Sequence, residues 1–128
     1  MTDTVEQKTR PGPLRFAILG AGVIGRHHAR VISTLENAEL SVVVDEVEDT
    51  AEKLAAEYGA TPAVKLEEIV AREDVDAVAV CTPSGLHAQQ ATVVLEAGKH
   101  VVVEKPVDVS LEAARRLADA ESRSPGLA

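Results

Sequence analysis

Aromatic residues are almost missing from this 128-residue chain: Phe16 and Tyr58 are the only two, and tryptophan is absent. A core must therefore be built from Ala, Val, Leu and Ile, a composition that suits parallel strands packed under helices. Cysteine occurs once, at Cys81. No internal disulfide can form, so a reducing, cytoplasmic setting is expected. Positive charge is also scarce, with 13 Lys and Arg against 21 Asp and Glu. The resulting net charge of −8 argues against nucleic acid and against anionic membrane surfaces as partners. No apolar run approaches the ~20 residues that span a bilayer. Glu6, Lys8 and Arg10 interrupt the N-terminus where a signal peptide needs an apolar stretch. No Cys/His cluster is present, and the adjacent His27 and His28 cannot chelate one metal from a shared helix face, so no metal site is expected.

What the chain does have is a junction at Phe16 to Gly25, F-A-I-L-G-A-G-V-I-G. Four apolar residues run into Gly20, Gly22 and Gly25, and an apolar-periodic segment follows. In that order, strand then glycines then helix, the G-x-G-x-x-G pattern describes a dinucleotide-binding turn. Gly20 permits the sharp turn, Gly22 lets a pyrophosphate approach the backbone, and Gly25 allows close helix–strand packing. The free amides at the start of the helix, Val23 and Ile24 included, point with its positive dipole end at the same spot.

The rest of the sequence repeats the alternation. Strands are expected over about 14–19, 39–44, 61–64, 76–81 and 100–104. Helices are expected over about 23–36, 48–58 and 86–97, with a short one around Leu66, Ile69 and Val70 and a last one capped by Ser110. Inward faces are assigned to Ile24, His28, Val31, Ile32 and Leu35; to Ala51, Leu54, Ala55 and Tyr58; to Ala88, Ala91, Val94 and Leu95; and to Leu111, Ala114, Leu117 and Ala118. Short connections between strands and helices imply an α/β fold, a doubly wound parallel sheet in the order 3-2-1-4-5 with helices on both faces. Residues 1–13 read as a mobile tail, 14–122 as one dinucleotide-binding domain, and 123–128 as a frayed end.

Asp45 closes the second strand, 20 residues after Gly25. A carboxylate there can accept both hydroxyls of an adenosine ribose. Glu46, Glu48 and Asp49 follow, with no Lys or Arg before Lys53. A 2′-phosphate would meet like charges and no guanidinium, which favours NAD over NADP.

Two more stretches, C-T-P-S-G-L-H (Cys81 to His87) and V-V-V-E-K-P (Val101 to Pro106), join G-A-G-V-I-G-R-H-H-A (Gly20 to Ala29). Together they resemble the N-terminal domain of the Gfo/Idh/MocA oxidoreductases, from about Leu14 to Glu121. The resemblance implies that Lys105 lies near the nicotinamide and the reacting carbon, where a cation polarises the substrate oxygen. It implies that Glu104 orients Lys105, that both border the cofactor, and that the Lys105–Pro106 bond is of the kind that can be cis. Thr82, Pro83 and His87 then flank the nicotinamide half, while Gly20, Gly22, Gly25 and Asp45 hold the adenosine diphosphate half. It further implies a second α/β domain beyond Ala128 carrying the pocket for a sugar or polyol, so that this chain is incomplete for catalysis alone.

Two other functions share parts of this pattern. A non-catalytic nucleotide-binding or redox-sensing module needs only the cofactor half. An S-adenosylmethionine-dependent methyltransferase shares the glycine turn and the acid after strand two but has no use for E-K-P. His28 reads as a hydrogen-bonded core histidine, and Cys81 as a small packed residue rather than a nucleophile. Strand five, apolar and without internal proline or lysine, is an expected edge through which copies of the chain self-associate.

Overall fold

The computed structural model describes residues 12–106, 108 and 110–128. The reading of residues 1–11 as a mobile tail lies outside the described residues. Five strands and five helices alternate: β1 (Leu14–Leu19), α1 (Val23–Thr34), β2 (Ala38–Val44), α2 (Glu48–Tyr58), β3 (Thr61–Ala63), α3 (Leu66–Val70), β4 (Ala77–Val80), α4 (His87–Glu96), β5 (His100–Val103) and α5 (Leu111–Arg123). A single 3₁₀ turn, Ser84–Leu86, leads into α4. All four strand pairings are parallel and the order is β3-β2-β1-β4-β5, as the alternation requires.

Period-two alternation divides the core between the two sheet faces. Ala17 and Leu19 of β1 join Val42, Val44, Val78 and Val80 under α3, α4 and α5. Ile18 joins Val43 and Ala79 on the opposite face, under α1 and α2. Both faces are buried, so the strands read as continuous valine-rich runs. The assigned faces of α2 and α4 are the buried ones, with Ala51, Leu54, Ala55, Ala88, Ala91, Val94 and Leu95 all inside and Tyr58 packed at the edge. Gly59 ends α2 in the left-handed region at φ 69°, where a side chain is strained.

Three expectations differ. Helix α1 buries Ile32 as assigned, but with Gly25 and Ala29 beside it, whereas Ile24, Val31 and Leu35 stay 40–47% exposed. The cause is Gly25, where an added Cβ would lie 1.8 Å from the Gly20 carbonyl oxygen. The helix is pulled down on its small-residue side, and the larger apolar stripe turns away. Helix α5 likewise buries Leu117 and Ala120 and leaves Leu111 exposed. Finally, residues 124–128 are not frayed. Ser124 Oγ donates to the Leu95 carbonyl at 2.7 Å, and the Val101 amide donates to the Leu127 carbonyl at 2.7 Å. Gly126 makes this possible, because a Cβ there would lie 2.1 Å from the Lys99 carbonyl oxygen.

Candidate dinucleotide-binding site

The carboxyl ends of β1, β2 and β4 open on one side of the sheet, where the strand order reverses between β1 and β4. At the end of β1 the chain turns at Gly20, whose φ of 101° suits only glycine and whose absent Cβ would press within 2.8 Å of the Cys81 carbonyl oxygen. Gly22 is the N-cap of α1, and a Cβ there would meet nothing within 4 Å. The first intrahelical bond runs from the Arg26 amide to the Gly22 carbonyl at 2.9 Å. The amides of Val23, Ile24 and Gly25 precede it and have no helical acceptor. Val23 is 83% exposed and Gly25 is buried, and these donors lie at the positive end of a 12-residue helix.

Asp45 faces this turn across the gap between β1 and β2. One carboxylate oxygen accepts the Ala21 amide at 2.8 Å and the other accepts the Val47 amide at 2.9 Å. The side chain is thus fixed in place, and each oxygen keeps a second lone pair for a diol. A cleft of about 500 Å³ brings together Gly20, Gly22, Asp45, Thr82 and Pro83. Lys65 and Leu66, just after β3, also line it, with Leu86 and Gln90 from the β4–α4 connection. Sequence reasoning missed these four. The rule that open α/β sheets bind at strand carboxyl ends would have nominated the residues following β3 and β4. Thr82 Oγ1 donates to the Gln90 side-chain oxygen, which fixes that wall.

Glu104, Lys105 and His87 sit beside the cleft rather than in its lining. Lys105 is exposed, and its bond to Pro106 is cis. The Glu104 carboxylate meets His28 Nε2 of α1 at 2.6 Å. That hydrogen bond, with the His28 charge behind it, holds Glu104 below the usual carboxylate range against a smaller opposing effect of burial. Glu104 therefore spends its carboxylate on His28, and the described hydrogen bonds include none from it to the Lys105 ammonium. His87, expected to flank the nicotinamide, is only 2% exposed. Its Nδ1 lies 2.8 Å from the Pro106 carbonyl oxygen and its Nε2 2.5 Å from that of Thr82, so neither ring nitrogen is turned to a ligand. Burial, reinforced by the Glu104 charge, pushes the Cys81 thiol up to about 12, which makes it a poor nucleophile at neutral pH. Among the described residues no group of His, Cys, Asp or Glu is arranged to hold a metal ion, and no helix is long and apolar enough to cross a membrane.

A glycine turn, an open helix N-terminus and a fixed acid after β2 define a Rossmann-type dinucleotide-binding domain. The family described as "Oxidoreductase family, NAD-binding Rossmann fold" (Gfo/Idh/MocA) matches residues 14–127, and the chain belongs to it. It is 43% identical to an inositol 2-dehydrogenase of Mycolicibacterium gilvum over 112 residues, 83% of this chain and 32% of that protein. The fold is similar to GenD2 from gentamicin A biosynthesis in complex with NAD, with TM-score 0.87 and 36% identity over 91% of this chain and 34% of that one. It is also similar to the WlbA dehydrogenase from Bordetella pertussis in complex with NADH and UDP-GlcNAcA, with TM-score 0.85 and 34% identity over 90% of this chain and 36% of that one. The chain spans about a third of the length of these relatives.

Proposed function

We propose that this chain holds NAD(H) for an oxidoreductase that moves a hydride between the nicotinamide and a carbinol or carbonyl carbon of a sugar, polyol or related substrate. The observation that carries the reading is that a rigid Asp45 carboxylate and the Gly22 N-cap of α1 line one cleft. The α1 amides at Val23 to Gly25 take the diphosphate, and Asp45 takes the adenosine ribose. Leu66 and Leu86 offer apolar surface to the adenine. The nicotinamide, when bound, supplies the hydride donor or acceptor. Lys105 at the end of β5 polarises the substrate oxygen and eases its proton transfer. NAD is favoured over NADP because Asp45, tied at both oxygens, cannot swing away from a 2′-phosphate. The free Cys81 fits a cytoplasmic setting.

About two thirds of each relative lies outside the match, and the substrate pocket is assigned here to that part. The relatives' sugar-like substrates set the proposed class and no narrower identity. Titration calorimetry with NADH, NADPH and S-adenosylmethionine tests the reading. NADH is expected to bind in the micromolar range, about −8 kcal/mol, with NADPH weaker by tenfold or more (about 1.4 kcal/mol). Binding of S-adenosylmethionine in preference to NADH, or no binding of either nicotinamide dinucleotide, would overturn it.

A further inference from the structure

His87 opens α4 almost fully buried, with both ring nitrogens facing main-chain carbonyl oxygens that belong to different segments. Nε2 faces Thr82, in the connection after β4, and Nδ1 faces Pro106, in the turn after β5. A carbonyl oxygen only accepts, so the ring satisfies both partners when each nitrogen carries a proton. A neutral ring satisfies one and leaves the other carbonyl facing a lone pair. The charged groups around this bridge are Glu104, whose carboxylate feels the imidazole, Lys105 beside Pro106, and Asp108, whose carboxylate accepts the Ala88 amide at 3.3 Å.

Thr82 and Lys105 are the two groups that the family resemblance sets around the nicotinamide half of the cofactor. We propose that His87 is a positioning residue that fixes these two walls against each other through one ring and does not itself touch the dinucleotide. This rests on the reading that the nicotinamide half lies between the β4 and β5 carboxyl ends. A second tie works in the same direction: the His28–Glu104 pair holds the end of β5 to α1. The Lys105 turn is thereby attached to the helix that takes the diphosphate and to the loop that borders the cleft.

The test pairs ring spectroscopy with two ligands. In the free parent protein, nitrogen-resolved NMR is expected to show both His87 ring nitrogens shielded from solvent and unmoved by NADH. His87→Gln keeps a donor for one carbonyl only, and is expected to weaken NADH about tenfold while leaving ADP-ribose, which lacks nicotinamide, unchanged. His87→Leu removes both donors and is expected to lose more NADH affinity; should it fail to fold, His87→Gln decides. A ring nitrogen whose signal shifts on adding NADH would overturn the proposal by making His87 a ligand contact. Equal losses for NADH and ADP-ribose would overturn it by making the ring a general scaffold element, as would an undiminished affinity in His87→Gln. Failure of the parent to bind NADH would overturn the proposed function instead, and the ring spectrum would then decide the bridge alone.

Discussion

On the proposed function Asp45 serves two purposes with one carboxylate, and they can be separated. Its bond to the Ala21 amide fastens the glycine turn to β2 and its bond to the Val47 amide fixes the side chain, while its remaining lone pairs are those the proposed function gives to the diol. Asp45→Ala is therefore expected to weaken NADH by tenfold or more and to lower unfolding stability by about 1–3 kcal/mol, since two amides lose a charged acceptor. Asp45→Asn keeps an acceptor oxygen for the turn, and should recover stability better than NADH affinity. Calorimetry and urea unfolding on both variants check this, and equal recovery of the two quantities would refute the division. Glu104 allows a pH prediction of definite sign. Its carboxyl, held below the ordinary 4.5 by the His28 hydrogen bond, binds fewer protons folded than unfolded. The stabilisation is therefore complete above about 4.5 and is lost as pH falls through the lower folded value. Glu104→Gln should flatten that acid limb, as read from unfolding midpoints across the range. A limb as steep as the parent's would show that the pair contributes nothing; partial exposure keeps the expected effect small.

Helix α1 shows how far the sequence could be read and where it stopped. Its apolar residues fit an i, i+4, i+7 stripe through Ile24, His28, Val31 and Leu35 as well as a smaller one through Gly25, Ala29 and Ile32. Periodicity cannot choose between two stripes; the choice is made by how near Gly25 comes to the Gly20 carbonyl. Gly25→Ala forces that contact open and is expected to cost about 1–3 kcal/mol or more by denaturant unfolding. A variant as stable as the parent would show that the helix does not depend on the close approach. Helices α2 and α4 offered a single apolar stripe each, so their buried faces were readable. Element order and sheet order were readable for a related reason, since short right-handed crossovers leave few layouts. The glycine turn and Asp45 were legible because their chemistry is tied to fixed spacing. The contacts of Glu104 with His28 and of His87 with Pro106 were not, because they join segments separated in sequence that only the folded sheet brings to one end.

At the scale of the whole molecule, the open question is what the β5 edge does. The sequence pointed to self-association along this strand, and the structure adds a competitor from within the chain. The Val101 amide, which faces away from β4, is already taken by the Leu127 carbonyl, and the Leu127 amide returns to His100 Nδ1 at 3.1 Å. Val102, beside Ala79 on the α1/α2 face of the sheet, nevertheless remains 46% exposed. Against pairing stands the net charge of −8, which repels like copies over roughly a Debye length, about 10 Å at 0.1 M salt. The balance turns on Gly126, since an added Cβ there would be driven into the Lys99 carbonyl and expel the segment that covers the edge. Gly126→Ala is accordingly expected to associate at lower protein concentration than the parent. The gap should widen as salt screens the repulsion, because strand pairing through main-chain bonds is far less sensitive to salt. Light scattering across a concentration series at low and high salt measures both effects, with circular dichroism confirming that the variant is folded. If folded Gly126→Ala stayed monomeric at high salt and high concentration, the β5 edge would not be an association surface, and the role of residues 124–128 would reduce to closing the base of α4.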